Sequence, residues 1–429
     1  LPKTKFTGYD YSQLEINAKV LAVFKDGTEV TELNEGDDAV VILDETPFYA
    51  ESGGQVGDTG VITIGESRFA VTDTKKTAKG QYLHFGTVEM GGLGKGDSVT
   101  ASVNVEKRYA IMRNHTAAHL LQAALRKVLG DHVHQAGSYV DAERCRFDFS
   151  HFEAVTPEQL SEIEAIVNKD IFDAIPVTMT EMPIEEAKKL GAMALFGEKY
   201  GNIVRVVEAK GVSVEFCGGT HIDNTARLGL FRIVSENSVA AGVRRIEAVT
   251  GAGVLNMLNK YHTMLVESAA ALKVAKPEDV AAKCVAVAAE VKALEKEKAE
   301  LNAKIAASQT GDVMANAVAV GAVRAATVQL TDVAADALRK MGDEAKDKNP
   351  DAVVVFASVN GSSASFLCVC GKDAVASGAN AGKIVKEVAA VTGGKGGGRP
   401  DSAMAGAGDV ALVGKALEAV SSIVGNFVK

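Results

Sequence analysis

Two pairs of side chains, far apart in the chain, constrain its fold more than any other feature. His115 and His119 stand four apart, and roughly a hundred residues later Cys217 and His221 do the same. On a helix, residues four apart share one face, with Cβ atoms about 5–6 Å apart. The second pair lies in Cys217-Gly218-Gly219-Thr220-His221, after a run that reads as a strand. Its glycines let both side chains point inward at one ion. Three imidazoles and one thiolate make a tetrahedral donor set of the zinc type. If one ion takes all four, the segments around 115 and 217 must pack together. A lone HxxxH on a helix is usually not a metal site; the added CxxxH raises the reading. A zincin has Glu directly after its first His, whereas Thr116 stands here, which argues against that protease mechanism.

A chain of 429 residues suggests two to four domains. Hydrophobic residues make up 47% and charged residues 24%, which argues against disorder and collagen-like repeats. Lys plus Arg number 46 against 55 Asp plus Glu, so any RNA contact must use local patches. From residue 311 onward, 12 basic residues balance 12 acidic ones, so the net −9 sits earlier. With five Cys, no zinc-ribbon CxxC and no secretory leader, the chain reads as reduced and cytoplasmic. The longest uncharged run, 352–371, carries Asn360-Gly361 at its centre, a strand–turn–strand signal rather than a membrane span. A start at Leu1 rather than Met reads as a piece of a longer protein.

The expected fold class is α+β and multidomain. Residues 1–105 carry six short β-branched or alternating runs with Gly and Asp between them, which suggests a small barrel or sandwich and is taken as a β-barrel domain. Residues 106–250 predict an α+β metal-binding domain. In it, one helix runs from about Val105 to Leu129 before Gly130. A second starts at the capping box Thr156-Pro157-Glu158-Gln159, and a third spans Pro183 to Phe196. Residues 251–308 are Ala-rich. Lys276-Pro277 breaks the run, and a seam through Val280, Cys284, Val287, Val291, Leu294, Lys298, Leu301 and Ile305 follows. That pattern predicts a long antiparallel helical hairpin, with Ser308 to Asp312 as linker. Residues 309–429 predict a C-terminal α/β globular domain, with a hairpin around Asn360-Gly361 and a last helix capped by Asp409.

Other motifs have two readings each. Gln135 is either a strand-edge amide facing water or a group that orients a substrate carbonyl or amine. Cys145, Cys284, Cys368 and Cys370 read as small buried hydrophobes. Ser377 to Ile384 approaches a P-loop but lacks its first Gly and the hydroxyl after Lys383, so it does not support an ATPase. In Gly393-Gly394-Lys395-Gly396-Gly397-Gly398-Arg399-Pro400, successive backbone N–H groups can form an anion nest, to which Lys395 and Arg399 add charge. The bland reading of that stretch is a flexible linker.

Taken in order, several motifs are familiar. Glu51-Ser52-Gly53-Gly54-Gln55, Arg113 to Leu121, Arg146 to His151 and Cys217 to His221 resemble the editing half of alanyl-tRNA synthetases. The helical arm and Gly393 to Pro400 resemble the tRNA-binding C-terminal domain of that family, so the resemblance covers essentially the whole chain. The paired HxxxH and CxxxH are also shared with free-standing editing proteins and threonyl-tRNA synthetases, so the full order is more specific than any part. The resemblance implies hydrolysis of Ser-tRNA and Gly-tRNA mischarged on alanine tRNA. It implies a Zn2+ on His115, His119, Cys217 and His221, with Cys217 and Gln135 in catalysis or positioning. Glu51, Ser52, Gly53, Gly54, Gln55 and Thr116 would contact substrate. Lys395, Gly396, Gly397, Gly398 and Arg399 would contact tRNA, and a homodimer could form through the arm or the last domain. The family often has Thr just before its second His, where this chain has Ala118, which bears on fine specificity. The family's aminoacylation core is not matched, so this chain is not expected to charge tRNA. The competing expectation is a non-catalytic tRNA-binding and dimerisation module with a structural zinc.

Overall fold

The structure is a computed structural model that describes residues 1–192, 201–309 and 313–428. These residues group into two compact units, 1–264 and 265–429.

The first unit opens with a closed barrel. Strands Glu15–Lys25, Asp38–Leu43, Tyr82–Met90, Ser67–Lys76, Gly60–Ile64 and Ser98–Val103 follow one another around it. Closure comes from Ser98–Val103, which pairs on one side with Gly60–Ile64 and on the other with Glu15–Lys25. A closed sheet has no free edge, which is how six short strands become independent of a partner. Val20, Val41, Leu43, Ile62, Phe69 and Val99 fill the interior.

Directly after the barrel comes the helix Val105–Leu129. Asn104 caps its start, accepting from the Lys107 N–H, and Gly130 ends it at φ 112°. Both ends lie where the sequence pattern puts them. Arg108 on its first turns is fully buried; its guanidinium donates to Asp58 and to the carbonyls of Gly8 and Pro47. This pair locks helix to barrel, because a buried charge bonded through all three of its nitrogens is costly to unpair.

The helix packs on Pro157–Phe172 and on a four-stranded antiparallel sheet ordered Gln135–Val140, Cys145–Ser150, Val243–Thr250, Phe231–Ala240. Thr156 and Gln159 form the expected reciprocal cap. Phe147 and Phe149 face the core, while Asp148 between them holds Arg245. A smaller antiparallel sheet, Val177–Pro183, Ile203–Ala209 and Ser213–Phe216, carries the CxxxH loop at its end. The third helix spans only Ile184–Lys189, short of the expected Pro183 to Phe196, of which 193–196 lie outside the described residues.

Helices Ala252–Ala271 and Val280–Gln309 flank the Lys276-Pro277 break. Ser308 and Gln309 end the second helix rather than joining a linker, and 310–312 lie outside the described residues. Val291, Leu294, Leu301 and Ile305 of the expected seam are exposed. Cys284 is also exposed, against its reading as buried; Cys145, Cys368 and Cys370 are buried.

The second unit holds a six-stranded sheet ordered Val318–Val320, Val323–Thr331, Ala352–Asn360, Ser363–Cys370, Ser402–Gly406, Lys395–Gly398. Helix Ala335–Lys348 connects the one parallel pair and covers one face; Ala381–Val391 and the C-terminal helices cover the other. Buried on both faces, Ala352 to Ala357 is a continuous apolar run. Two expectations change here. The final helix is a capped 3-10 turn followed by two short helices, Val413–Glu418 and Val420–Gly425. The glycine-rich loop is not a nest: Lys395–Gly398 is an edge strand paired with Ser402–Gly406, so the extended ladder uses alternate N–H groups and holds the others apart instead of curling them round one anion.

Candidate metal centre

The two distant pairs meet. The donor atoms of His115, His119, Cys217 and His221 all lie within 4.8 Å of one another. Cys217 Sγ stands 3.2 Å from His221 Nε2 and 3.5 Å from His115 Nε2.

Two of the three imidazoles are aimed by hydrogen-bonding neighbours. Gln55 Oε1 lies 2.8 Å from His115 Nδ1, so that nitrogen is the donor and Nε2 is left to the centre. The same Oε1 accepts from the Thr220 N–H, and Gln55 Nε2 donates to Thr220 Oγ1. Thr116 Oγ1 donates to Met112 O and stands 3.1 Å from His221 Nδ1. Glycine is required at 219, where a Cβ would lie 2.0 Å from the His115 ring. The Ser52–Gln55 turn docks on the strand Gln135–Val140 through Val140 N–H to Gly54 O and Val56 N–H to Val140 O. Gly54 has φ 83°, and a Cβ there would strike the Ser138 carbonyl at 2.4 Å.

The electrostatics fit a cation. Burial would raise the Cys217 thiol, but His115, His221 and His119 outweigh it and hold the thiol well below its ordinary value. Burial pulls His119 down, while the Glu215 carboxylate and the Cys217 thiolate together more than reverse this, to about 9. Burial depresses His221 well below the usual imidazole range, with His115 adding to it. A thiolate and three imidazoles at this spacing could hold a metal ion, with His119 giving up its proton on binding.

A cavity of about 280 Å³ opens beside the cluster, lined among others by Tyr49, Ser52, Gly53, Ala118, Gln135, Ser138, Arg205 and Glu215. Of the expected substrate contacts, Ser52, Gly53 and Gln135 reach this wall. Gln55 and Thr116 are buried behind the imidazoles, and exposed Glu51 pairs with Lys75. Lys395 to Arg399 belong to the second unit. A larger groove, about 870 Å³, lies on the outer barrel face at Phe24, Val40, Ile42 and Phe85, away from all four donors.

Four contributors were not anticipated. Glu215 is buried two positions before Cys217, a spacing that puts both on one face of a strand. Arg205 donates to the Cys217 and Gly219 carbonyls and lies 4.1 Å over the Tyr9 ring. Tyr9 and Tyr11 donate to the carbonyls of Gly218 and His221, a contact across the whole unit that nothing in their local sequence signals.

With this geometry in hand, similarity to known proteins defines the class. Residues 2–107 match the family of class II (A) tRNA synthetases, residues 204–247 the threonyl and alanyl tRNA synthetase second additional domain, and residues 322–426 the DHHA1 domain. Alanine–tRNA ligases of Acetivibrio thermocellus and Geobacillus thermodenitrificans are each 46% identical over 98% of this chain, and that of Methylobacillus flagellatus is 47% identical over 98%. The chain spans about half the length of these relatives, 48% of each. It belongs to the alanine–tRNA ligase family and corresponds to the C-terminal half of its relatives. The solved C-Ala domain of Aquifex aeolicus alanyl-tRNA synthetase is 25% identical over 26% of this chain and 98% of its own, with a TM-score of 0.25. No helix among the described residues is long and apolar enough to cross a membrane.

Proposed function

We propose that this chain hydrolyses serine or glycine esters wrongly formed on alanine tRNA, with zinc on His115, His119, Cys217 and His221. The observation that carries the reading is the convergence of those donors on the wall of a small cavity. The need for such a site is physical. A pocket for alanine cannot exclude glycine by size, and a single added hydroxyl separates serine by only about 1–3 kcal/mol, so a second, hydrolytic sieve is required.

When bound, zinc would supply Lewis acidity for ester hydrolysis. The chain's own residues do the rest. Gln55 and Thr116 hold the His115 and His221 rings in one orientation, and so contribute behind the substrate rather than against it. Gln135 and Ser138 offer an amide and a hydroxyl on the cavity wall for the aminoacyl carbonyl and side chain. Ala118 leaves its part of the wall without a hydroxyl, which favours discrimination by the remaining polar groups. In the second unit, exposed Lys395 and Arg399 and the open glycine edge would grip tRNA phosphates. The two helices on either side of Lys276 are read as an antiparallel arm, and self-association through the arm or second unit belongs to the same proposal.

The test is ester loss from Ser-tRNA and Ala-tRNA on the alanine acceptor. Selective loss of serine supports editing. One observation favours a second reading: four protein donors close a tetrahedral site, and closed sites are usually structural. No ester loss, with zinc bound, would establish a binding module instead. Cys217→Ala refines the first case: zinc retained with deacylation lost would mean that Cys217 acts in positioning or catalysis.

A further inference from the structure

Glu215 stands in a place where an acidic side chain is expensive. It is 4% exposed, on the strand Ser213–Phe216, and its Oε1 accepts from Ser213 Oγ at 2.7 Å. Its Oε2 points towards the cluster, 3.6 Å from His119 Nε2, an ion-pair distance that supplies a countercharge only while that ring is protonated, and as a metal ligand the ring is neutral. It is the one acidic side chain among the described residues lining the cavity. The cationic side chain on that wall, Arg205, is turned to the backbone, its Nη1 bound to the Cys217 and Gly219 carbonyls. The cavity therefore offers a fixed carboxylate to its contents.

A buried charge persists where a countercharge completes it. An aminoacyl ester brings such a charge, because its α-ammonium sits two bonds from the carbonyl to be attacked. Its side chain differs between serine and glycine, but its ammonium does not. We infer that Glu215 is an ammonium subsite, which admits esters with a free α-amino group and rejects those whose nitrogen is acylated. This inference rests on the editing reading and deepens it. Ala118, Ser138 and Gln135 would sort small side chains, whereas Glu215 would separate aminoacyl from peptidyl or formylated ends. Sparing the latter matters for any hydrolase of this bond, since an N-acylated ester is equally cleavable chemistry. The competing account is that Glu215 only supports His119.

The experiment uses the zinc-loaded chain and two non-hydrolysable probes: a minihelix ending in 3′-serylamido-adenosine and its N-acetyl counterpart. Wild type should bind the free-amine probe roughly ten- to a hundredfold more tightly, the range of a charge-assisted hydrogen bond. Glu215→Gln should bring the two affinities together while zinc content stays at the wild-type level; Glu215→Asp should restore part of the preference. Equal wild-type affinities, or a preference that survives Glu215→Gln, would overturn the inference. Zinc loss in Glu215→Gln with the preference intact would assign the residue to His119 support instead. Hydrolysis is scored separately on Ser-tRNA, so a chain that binds the ammonium without cutting the ester would sink the editing reading alone.

Discussion

The candidate metal centre and the glycine edge are built on opposite plans. At the centre, function is proposed for side chains, and their surroundings over-determine most of them. His115 is held by Gln55, His221 by Thr116, and the loop between Cys217 and His221 by Arg205, Tyr9 and Tyr11. At the edge, Gly396 to Gly398 carry no side chains, and what they present is main chain on the outermost strand of a sheet. An enclosed site gains from rigidity because an ion accepts one geometry. An open strand gains from bareness because a bulky, charged polymer must come close.

The largest expected effect tests the centre. His221→Ala should remove zinc and lower deacylation on the order of a thousandfold, as several kcal/mol of charge stabilisation is lost; metal analysis beside the ester assay checks both. Gln55→Ala keeps all four donors but frees His115. It should weaken zinc by roughly 10–100-fold, measured by competition with a chelator; unaltered affinity would break the claim that the centre is over-determined.

The edge should respond differently to the same kind of change. At Gly382 on the covering helix, an added Cβ would meet the Gly398 carbonyl at 2.5 Å, so Gly382→Ala should cost about 1–3 kcal/mol in denaturant unfolding. At Gly397 nothing lies within 4 Å, so Gly397→Ala should leave stability within about 0.5 kcal/mol while weakening RNA binding. The smallest effect is at Lys395→Ala, where the slope of log affinity against log salt should fall by about one. A slope that does not change would remove this side chain from the phosphate contacts.

How much of this was legible in the sequence follows the same division. The helix Val105–Leu129, the Thr156 cap and the six barrel strands were readable because caps, turns and periodicity act over a few residues. The four donors were readable because spacing on a helix and glycines beside a thiol restrict geometry locally. Their supports were not. Gln55 reads as part of a glycine-rich substrate loop, yet it is buried 60 residues from the ring it orients. Strand Val177–Pro183 lacks strong β patterning and is held by its partner Ile203–Ala209. The glycine stretch was misread as a curled loop because a pairing strand, Ser402–Gly406, decides its shape and glycine alone does not.

The lock between barrel and helix has a further consequence. A truncated chain starting at Asn104 would retain every donor and the whole antiparallel sheet. It would nevertheless lack the amide that selects the His115 tautomer and the carboxylate that neutralises Arg108. The barrel is therefore part of the reagent rather than its packaging, and transplanting the module without it would leave a guanidinium stranded in oil and an imidazole free to turn.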